Sequence, residues 1–157
     1  AGLKGISTMA IDQRDLQDLP ESLPGWIREH LQTYVGSGGT EGHVWRGVPT
    51  LLLKTRGRKS GRTRLTPLIY GRDGIDYVIV ASKGGAPEHP AWYLNLSDEP
   101  EVEAQVGTEQ FVATARTVDA ADHERLWPEM VALWPAYEDY RAATDRAIPI
   151  VALTPRR

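Results

Sequence analysis

Between residues 50 and 153 every β-compatible run of this chain is short and ends at a turn signal. Residues 50–55, 65–70, 76–82, 102–106, 110–118 and 148–153 are rich in branched and aromatic side chains. Glycine, proline or an Asp-Gly pair punctuates the intervals. Arg72-Asp73-Gly74 is a hairpin turn, and Gly107 sits between two further runs. Runs so closely spaced pair antiparallel, because parallel pairing needs a long crossover after each strand. Helical signals are confined to a few places. Trp26, Ile27, Leu31, Tyr34 and Val35 recur at helical spacing between Pro24 and Gly36. Residues 91–96 suit a short helix, and Asp119 caps another that begins at Ala120. Pro128 is expected to interrupt that helix and start a second piece, with a further helix over 137–146. Pro149 places the last strand at a sheet edge or a strand start. The pattern predicts an α+β fold: a small β-barrel of antiparallel strands with peripheral helices. No G-x-G-x-x-G follows a strand and no Walker loop exists, which argues against a doubly wound nucleotide-binding fold.

A length of 157 residues fits one domain with a real core. Residues 1–8, which precede Met9, are expected to be a cloning remnant. Residues 9–42 form an N-terminal helical segment with a Gly-rich linker, and 43–157 form the barrel domain. There is no cysteine, which removes disulfides, thiolate metal sites and thiol catalysis. The four histidines lack ligand spacing, so no metal is expected. No apolar run approaches the roughly 20 residues of a membrane span. The absence of a signal peptide points to a cytoplasmic protein. Contact of the N-terminal helix with a membrane surface is the alternative, and it is disfavoured by the flanking Asp12, Asp15, Asp18 and Glu21.

Charge is distributed unevenly. Residues 54–64 (KTRGRKSGRTR) hold six of the 18 Lys and Arg and no acid, whereas the other 12 face 21 Asp and Glu. The stretch joins two β-runs, so it is the loop of a hairpin, with Gly57 and Gly61 bracketing its centre. Glycines free to adopt positive φ turn backbone N–H groups toward an anion, and Arg and Lys add charge-assisted hydrogen bonds. The plain alternative is a solvated basic turn. Acidic charge elsewhere argues against nucleic acid, which asks for a broad positive surface.

Two further clusters can meet the hairpin at one end of a barrel. One is Ala81-Ser82-Lys83-Gly84-Gly85 with Trp92 and Asn95, where a strand ends in backbone N–H groups beside an ammonium. The other is Trp134, Tyr137 and Tyr140; the tyrosines, three apart, share a helix face. Each has an ordinary reading too, as surface lysine, core tryptophan or packed tyrosine. No Gly-x-Ser-x-Gly elbow, no strong nucleophile and no distinct carboxylate pair is present. An enzyme built this way takes its reactive group from a cofactor, and the basic loop suggests an anionic one.

Four collinear segments, LLLKTRGRKSGRTRLTP, ASKGG, PAWYLNL and YEDYRAATDRAIP, resemble the deazaflavin-dependent nitroreductase family of actinobacteria. The resemblance runs from about Trp45 to Pro155 and implies a split β-barrel that uses coenzyme F420. By it, the hairpin residues Lys54, Arg58, Lys59, Ser60, Gly61 and Arg64 hold the phosphate and acidic tail of the cofactor. Thr66, Pro67 and Leu68 lie against the deazaflavin. Ala81, Ser82, Lys83 and Gly84 contact its ring and linker, and Trp92 and Asn95 border its pocket. Trp134, Tyr137 and Tyr140 shape the substrate side, with Tyr137, Tyr140 and Ser82 as donors to the reacting acceptor. The family often has tyrosine where this chain has Trp134, which reshapes the pocket. The implied acceptors are small molecules: quinones, activated alkenes in enones or unsaturated lactones, and nitroaromatics. An FMN-dependent split-barrel oxidoreductase and a non-catalytic F420-binding carrier are the competing readings.

Overall fold

The structure, a computed structural model, describes residues 11–156. The expected cloning remnant and Met9 lie outside the described residues. Eight strands run in the order β1 (Val44–Trp45), β2 (Val48–Arg56), β3 (Thr63–Ile69), β4 (Gly71–Asp73), β5 (Asp76–Val80), β6 (Glu101–Val106), β7 (Glu109–Thr117) and β8 (Ile150–Pro155). Four α-helices accompany them: α1 (Gly25–Gly36), α2 (Ala91–Asp98), α3 (Ala120–Leu133) and α4 (Ala136–Ala142).

Every strand pair is antiparallel. The sheet reads β1-β2-β6-β7-β8-β5-β4, with β3 on the other edge of β2. Tyr70 alone separates β3 from β4, so one residue carries the chain from one end of the sheet to the other. The barrel is thus closed by chain continuity and not by a backbone ladder, which makes it a split β-barrel.

Strand alternation sorts side chains between three packed layers. Leu51, Leu53, Tyr77, Ile79, Phe111, Val151 and Leu153 fill the barrel. Val78, Val80, Ile150 and Ala152 point the other way, onto Leu126, Trp127 and Met130 of α3. Leu52 and Leu65 meet Leu31 and Tyr34 of α1. Strands β2 and β5 are therefore buried on both faces, which explains their unbroken apolar runs. Tyr34 fixes α1 in place: its hydroxyl donates to the Thr50 carbonyl at 3.0 Å and accepts the Gly107 N–H at 2.8 Å. Burial pushes its pKa up to about 12.

Two helix expectations differ from what is found. Pro128 does not interrupt α3, which continues to Leu133. Pro128 and Glu124 both lie on the exposed face, so the carbonyl that loses its partner is left to water, while Leu126, Trp127 and Met130 anchor the buried face. Helix α4 ends at Ala142 and not at Arg146, because Arg146 turns inward. Asp119 caps α3 as expected, accepting the Asp122 N–H at 2.9 Å.

Candidate functional site

The hairpin turn between β2 and β3 is held by its own backbone. Gly57 N–H donates to the Arg62 carbonyl at 2.6 Å, and Gly61 N–H, at φ +73°, donates to the Gly57 carbonyl at 2.8 Å. Buried Asn95 on α2 ties the turn to the barrel. Its Oδ1 accepts the Arg58 N–H at 3.1 Å, and its Nδ2 donates to Thr55 Oγ1 at 3.2 Å. Since an N–H can only donate, the carboxamide orientation is fixed. Arg58, Lys59, Ser60 and Arg64 line a cavity of about 360 Å³ beside this turn, with Asn95 and Trp92 behind.

A second cavity, of about 520 Å³, adjoins the first: Leu23, Leu65, Thr66, Ala91 and Trp92 border both. Thr66, Pro67 and Leu68 of β3 form one side. Ser82, Lys83 and Gly84 form the rim beyond β5, and Trp134, Tyr137 and Tyr140 close the far side. The rim is a tight turn in which Lys83, Gly84 and Gly85 take φ of 46°, 62° and 84° in succession. A non-glycine residue at positive φ is uncommon and marks backbone constrained by its surroundings. Arg146 supplies the constraint. Its guanidinium donates to the carbonyls of Ala81, Ser82 and Ala86, at 3.2, 2.8 and 2.9 Å, and to His89 Nδ1 at 3.1 Å. Burial, followed by the charge of Arg146, lowers the pKa of His89.

The tyrosine pair is in edge contact, with ring centres 6.1 Å apart. Burial, and then the neighbouring Tyr140 phenol, hold the Tyr137 hydroxyl well above the ordinary tyrosine range, so it stays protonated at neutral pH. Trp134 Nε1 reaches the Tyr140 hydroxyl at 3.5 Å.

Most residues expected at the site converge here. Lys54 does not. Strand alternation sends it outward with Leu52, and its ammonium lies 3.0 Å from Asp15 and 3.7 Å from Glu103, only 11% exposed. It latches the N-terminal segment and does not face either cavity. Ala81 is fully buried behind the rim and contributes its carbonyl to Arg146. Gly61 shapes the turn and lines neither of these two cavities.

The N-terminal segment contributes wall residues that sequence reasoning assigned only to packing. Leu23, Trp26, Ile27 and His30 line the larger cavity, as does Trp45 of β1. Trp45 stacks on Trp26 at 5.4 Å and on His30 at 6.4 Å, and meets Trp134 at 5.3 Å. Helical spacing marked Trp26 and Ile27 as one apolar face, but nothing in a two-residue strand marked Trp45 as a wall. Among the described residues no group of acids and histidines could hold a metal ion. A further groove of about 860 Å³ lies by His123, Trp127 and Arg141 and contains none of the expected residues.

Two adjoining cavities, one lined by three cations and the other by aromatic and apolar walls, suit a ligand with a flat ring and an anionic tail. A sequence profile of the F420H2-dependent quinone reductase family matches residues 26–155. The F420H2-dependent quinone reductase Rv1261c of Mycobacterium tuberculosis is 45% identical over 135 residues, covering 83% of this chain and 90% of the relative. A solved F420H2-dependent reductase, FDR-A, is 39% identical, with a TM-score of 0.62, covering 71% of this chain and 97% of that one. Another solved structure, described as a domain-swapped dimer, is 37% identical with a TM-score of 0.65, covering 82% and 96%.

Proposed function

The chain belongs to the F420H2-dependent quinone reductase family, and from that premise we propose that its adjoining cavities place reduced coenzyme F420 beside a quinone. It is an oxidoreductase with coenzyme F420 as its cofactor. The single observation that carries the arrangement is the side-by-side placement of the two cavities, cationic at the hairpin and aromatic at the far end.

Arg58, Lys59 and Arg64, with Ser60, hold the phosphate and carboxylates of the cofactor tail. Thr66, Pro67, Leu68 and Trp92 flank the ring system, and the rim from Ser82 to Gly84 borders it. When bound in its reduced form, the deazaflavin supplies a hydride. The chain does the rest. Trp92, Trp134 and the β3 side chains exclude water, so hydrogen bonds made inside are stronger. Tyr137, Tyr140 and Ser82 present hydroxyls toward the acceptor side, where negative charge develops on the acceptor's oxygen. The same donors suit the oxygen of an enone, an unsaturated lactone or a nitro group, so these acceptors belong to the reading alongside quinones. Trp134 narrows the acceptor side and favours flat substrates.

Tryptophan fluorescence should quench on titration with F420 and respond little to FMN. F420H2 oxidation should then depend on both the protein and menadione. Equal or tighter FMN binding would overturn the cofactor assignment. Tight F420 binding without turnover of any acceptor would make the protein a carrier.

A further inference from the structure

We propose that His30 delivers the proton that completes reduction of the acceptor, an inference that rests on the larger cavity being the place of quinone reduction. A quinone that takes up a hydride gains two electrons and one proton and is left as a hydroquinone monoanion. One O–H bond has still to form. In the proposed step the Nδ1–H bond of the His30 imidazolium breaks, its electron pair stays on nitrogen, and the proton passes to the oxyanion. Neutral His30 then recovers a proton from water.

The geometry of the ring carries the proposal. His30 lines the same cavity as Ser82, Tyr137 and Tyr140. Its Nε2 lies 2.7 Å from the Gly42 carbonyl oxygen and 3.4 Å from Thr50 Oγ1. A carbonyl can only accept, so Nε2 carries hydrogen in every protonation state. The proton that comes and goes is therefore the one on Nδ1. Among the described residues Nδ1 has no hydrogen-bond partner. Trp45, nearly parallel at 13°, and Tyr34, at 6.1 Å, hold the ring plane. An imidazole fixed by one nitrogen, held by aromatic neighbours and left with its other nitrogen unused fits a positioned acid better than a packing residue.

The other titratable groups around it fit this task less well. Tyr34, on its own helix, has its hydroxyl committed to Thr50 and Gly107. His43, from the β1 side, bonds the Tyr70 hydroxyl at 2.7 Å, and Arg46 lies over the Trp45 ring at 4.7 Å. Across the cavity, Lys83 is paired with Glu88 at 3.0 Å. Tyr137 holds its proton too tightly to release it near neutral pH, which suits hydrogen bonding and not transfer. Tyr140 is the remaining phenol, and its hydroxyl accepts from Trp134 Nε1 at 3.5 Å.

The test uses the whole protein loaded with F420H2 and menadione, with His30→Gln as the main variant. The glutamine amide can still donate to the Gly42 carbonyl but cannot ionise. F420 affinity by fluorescence should stay within about twofold and KM for menadione within about threefold. The kcat should fall about 100-fold, the low end of the range for a lost general acid. The pH dependence of kcat should flatten, and added imidazole should restore part of the rate in His30→Ala. Independently of activity, ring NMR of the wild-type protein should show neutral His30 protonated at Nε2. A protonated Nδ1 in the neutral ring, or unchanged kcat with an unchanged pH profile in His30→Gln, would overturn the proposal. So would loss of the pH-dependent limb in Tyr137→Phe and not in His30→Gln. If the wild type binds F420 and reduces menadione while His30→Gln is indifferent, this inference fails and the functional reading stands. If the wild type does neither, both fall together.

Discussion

The two adjoining cavities are built by opposite strategies. The cationic one is local: Gly57, Arg58, Lys59 and Ser60 come from one hairpin turn and Arg64, Leu65 and Thr66 from β3 beside it, with Pro20, Leu23 and α2 reaching in from elsewhere. The aromatic one is assembled at long range, from α1, β1, β3, the rim after β5, α2 and the α3–α4 junction. A charge need only be near its counterion, whereas a shaped wall must be held from several sides. The anchoring end should therefore tolerate backbone adjustment and respond to charge. The reacting end should tolerate charge changes nearby and respond to small displacements of its frame.

The largest effect expected from this contrast comes from removing the cations. Arg58→Ala, Lys59→Ala and Arg64→Ala combined should weaken F420 binding about a hundredfold, taking about 1 kcal/mol for each exposed, screened contact. The loss should shrink as salt is raised, because part of the attraction is screened. Binding of menadione should be spared. Isothermal titration at two ionic strengths checks both statements, and salt-independent loss would mean that the turn had collapsed.

The same contrast explains what could be read in advance. The hairpin announced itself because its six charges and two glycines are contiguous, and the strands did so through short runs between turns. Ser82, Trp92 and the pair of tyrosines were picked out through resemblance, since each lies in one of the four collinear segments. Lys54 misled because charge in a sequence has no direction: alternation along β2 puts it on the face of Leu52, toward Asp15 and Glu103. His30, Trp45 and Arg146 gave no usable signal. Their roles depend on Gly42, Trp134 and the carbonyls of residues 81–86, all brought near only by the closed barrel.

A smaller effect is expected from disturbing the frame of the aromatic end. Gly85 adopts φ +84°, and an added Cβ would lie 2.8 Å from the Tyr140 carbonyl oxygen and 3.1 Å from Ala143 Cβ. Gly85→Ala must push α4 outward, and Tyr137 and Tyr140 move with it. The strained backbone and the overpacking should together cost about 2 kcal/mol of stability. For a chain of this size that lowers Tm by about 6 °C. Quinone turnover should drop about tenfold, while F420 affinity, set mainly by the hairpin, changes less than about threefold. Equal losses of affinity and turnover would erase the distinction between the two ends.

The smallest effect concerns the N-terminal segment, whose Leu23 borders both cavities. Its latch is Lys54 between Asp15 and Glu103, and Glu103 is the weak member. Its Oε2 is buried without a hydrogen-bond partner. Burial raises its pKa above the ordinary 4.5; Lys54 opposes the shift and Asp15 adds to it. A carboxyl whose folded pKa is raised contributes stability below the unfolded pKa, and that contribution is lost as pH rises through the folded value. At neutral pH the ionised Glu103 is thus a net cost to the folded state. Glu103→Gln removes the charge and leaves Lys54 paired with Asp15. It should stabilise the protein by about 0.5–1 kcal/mol at pH 7, and the gain should vanish as pH falls toward the unfolded carboxyl pKa. Urea unfolding at pH 7 and near pH 4.5 measures this directly. A variant less stable than wild type at pH 7 would mean that attraction to Lys54 outweighs burial. Because Asp15, Lys54 and Glu103 border neither of these two cavities, neither F420 affinity nor quinone KM should move by more than about twofold, unlike either change at the ends.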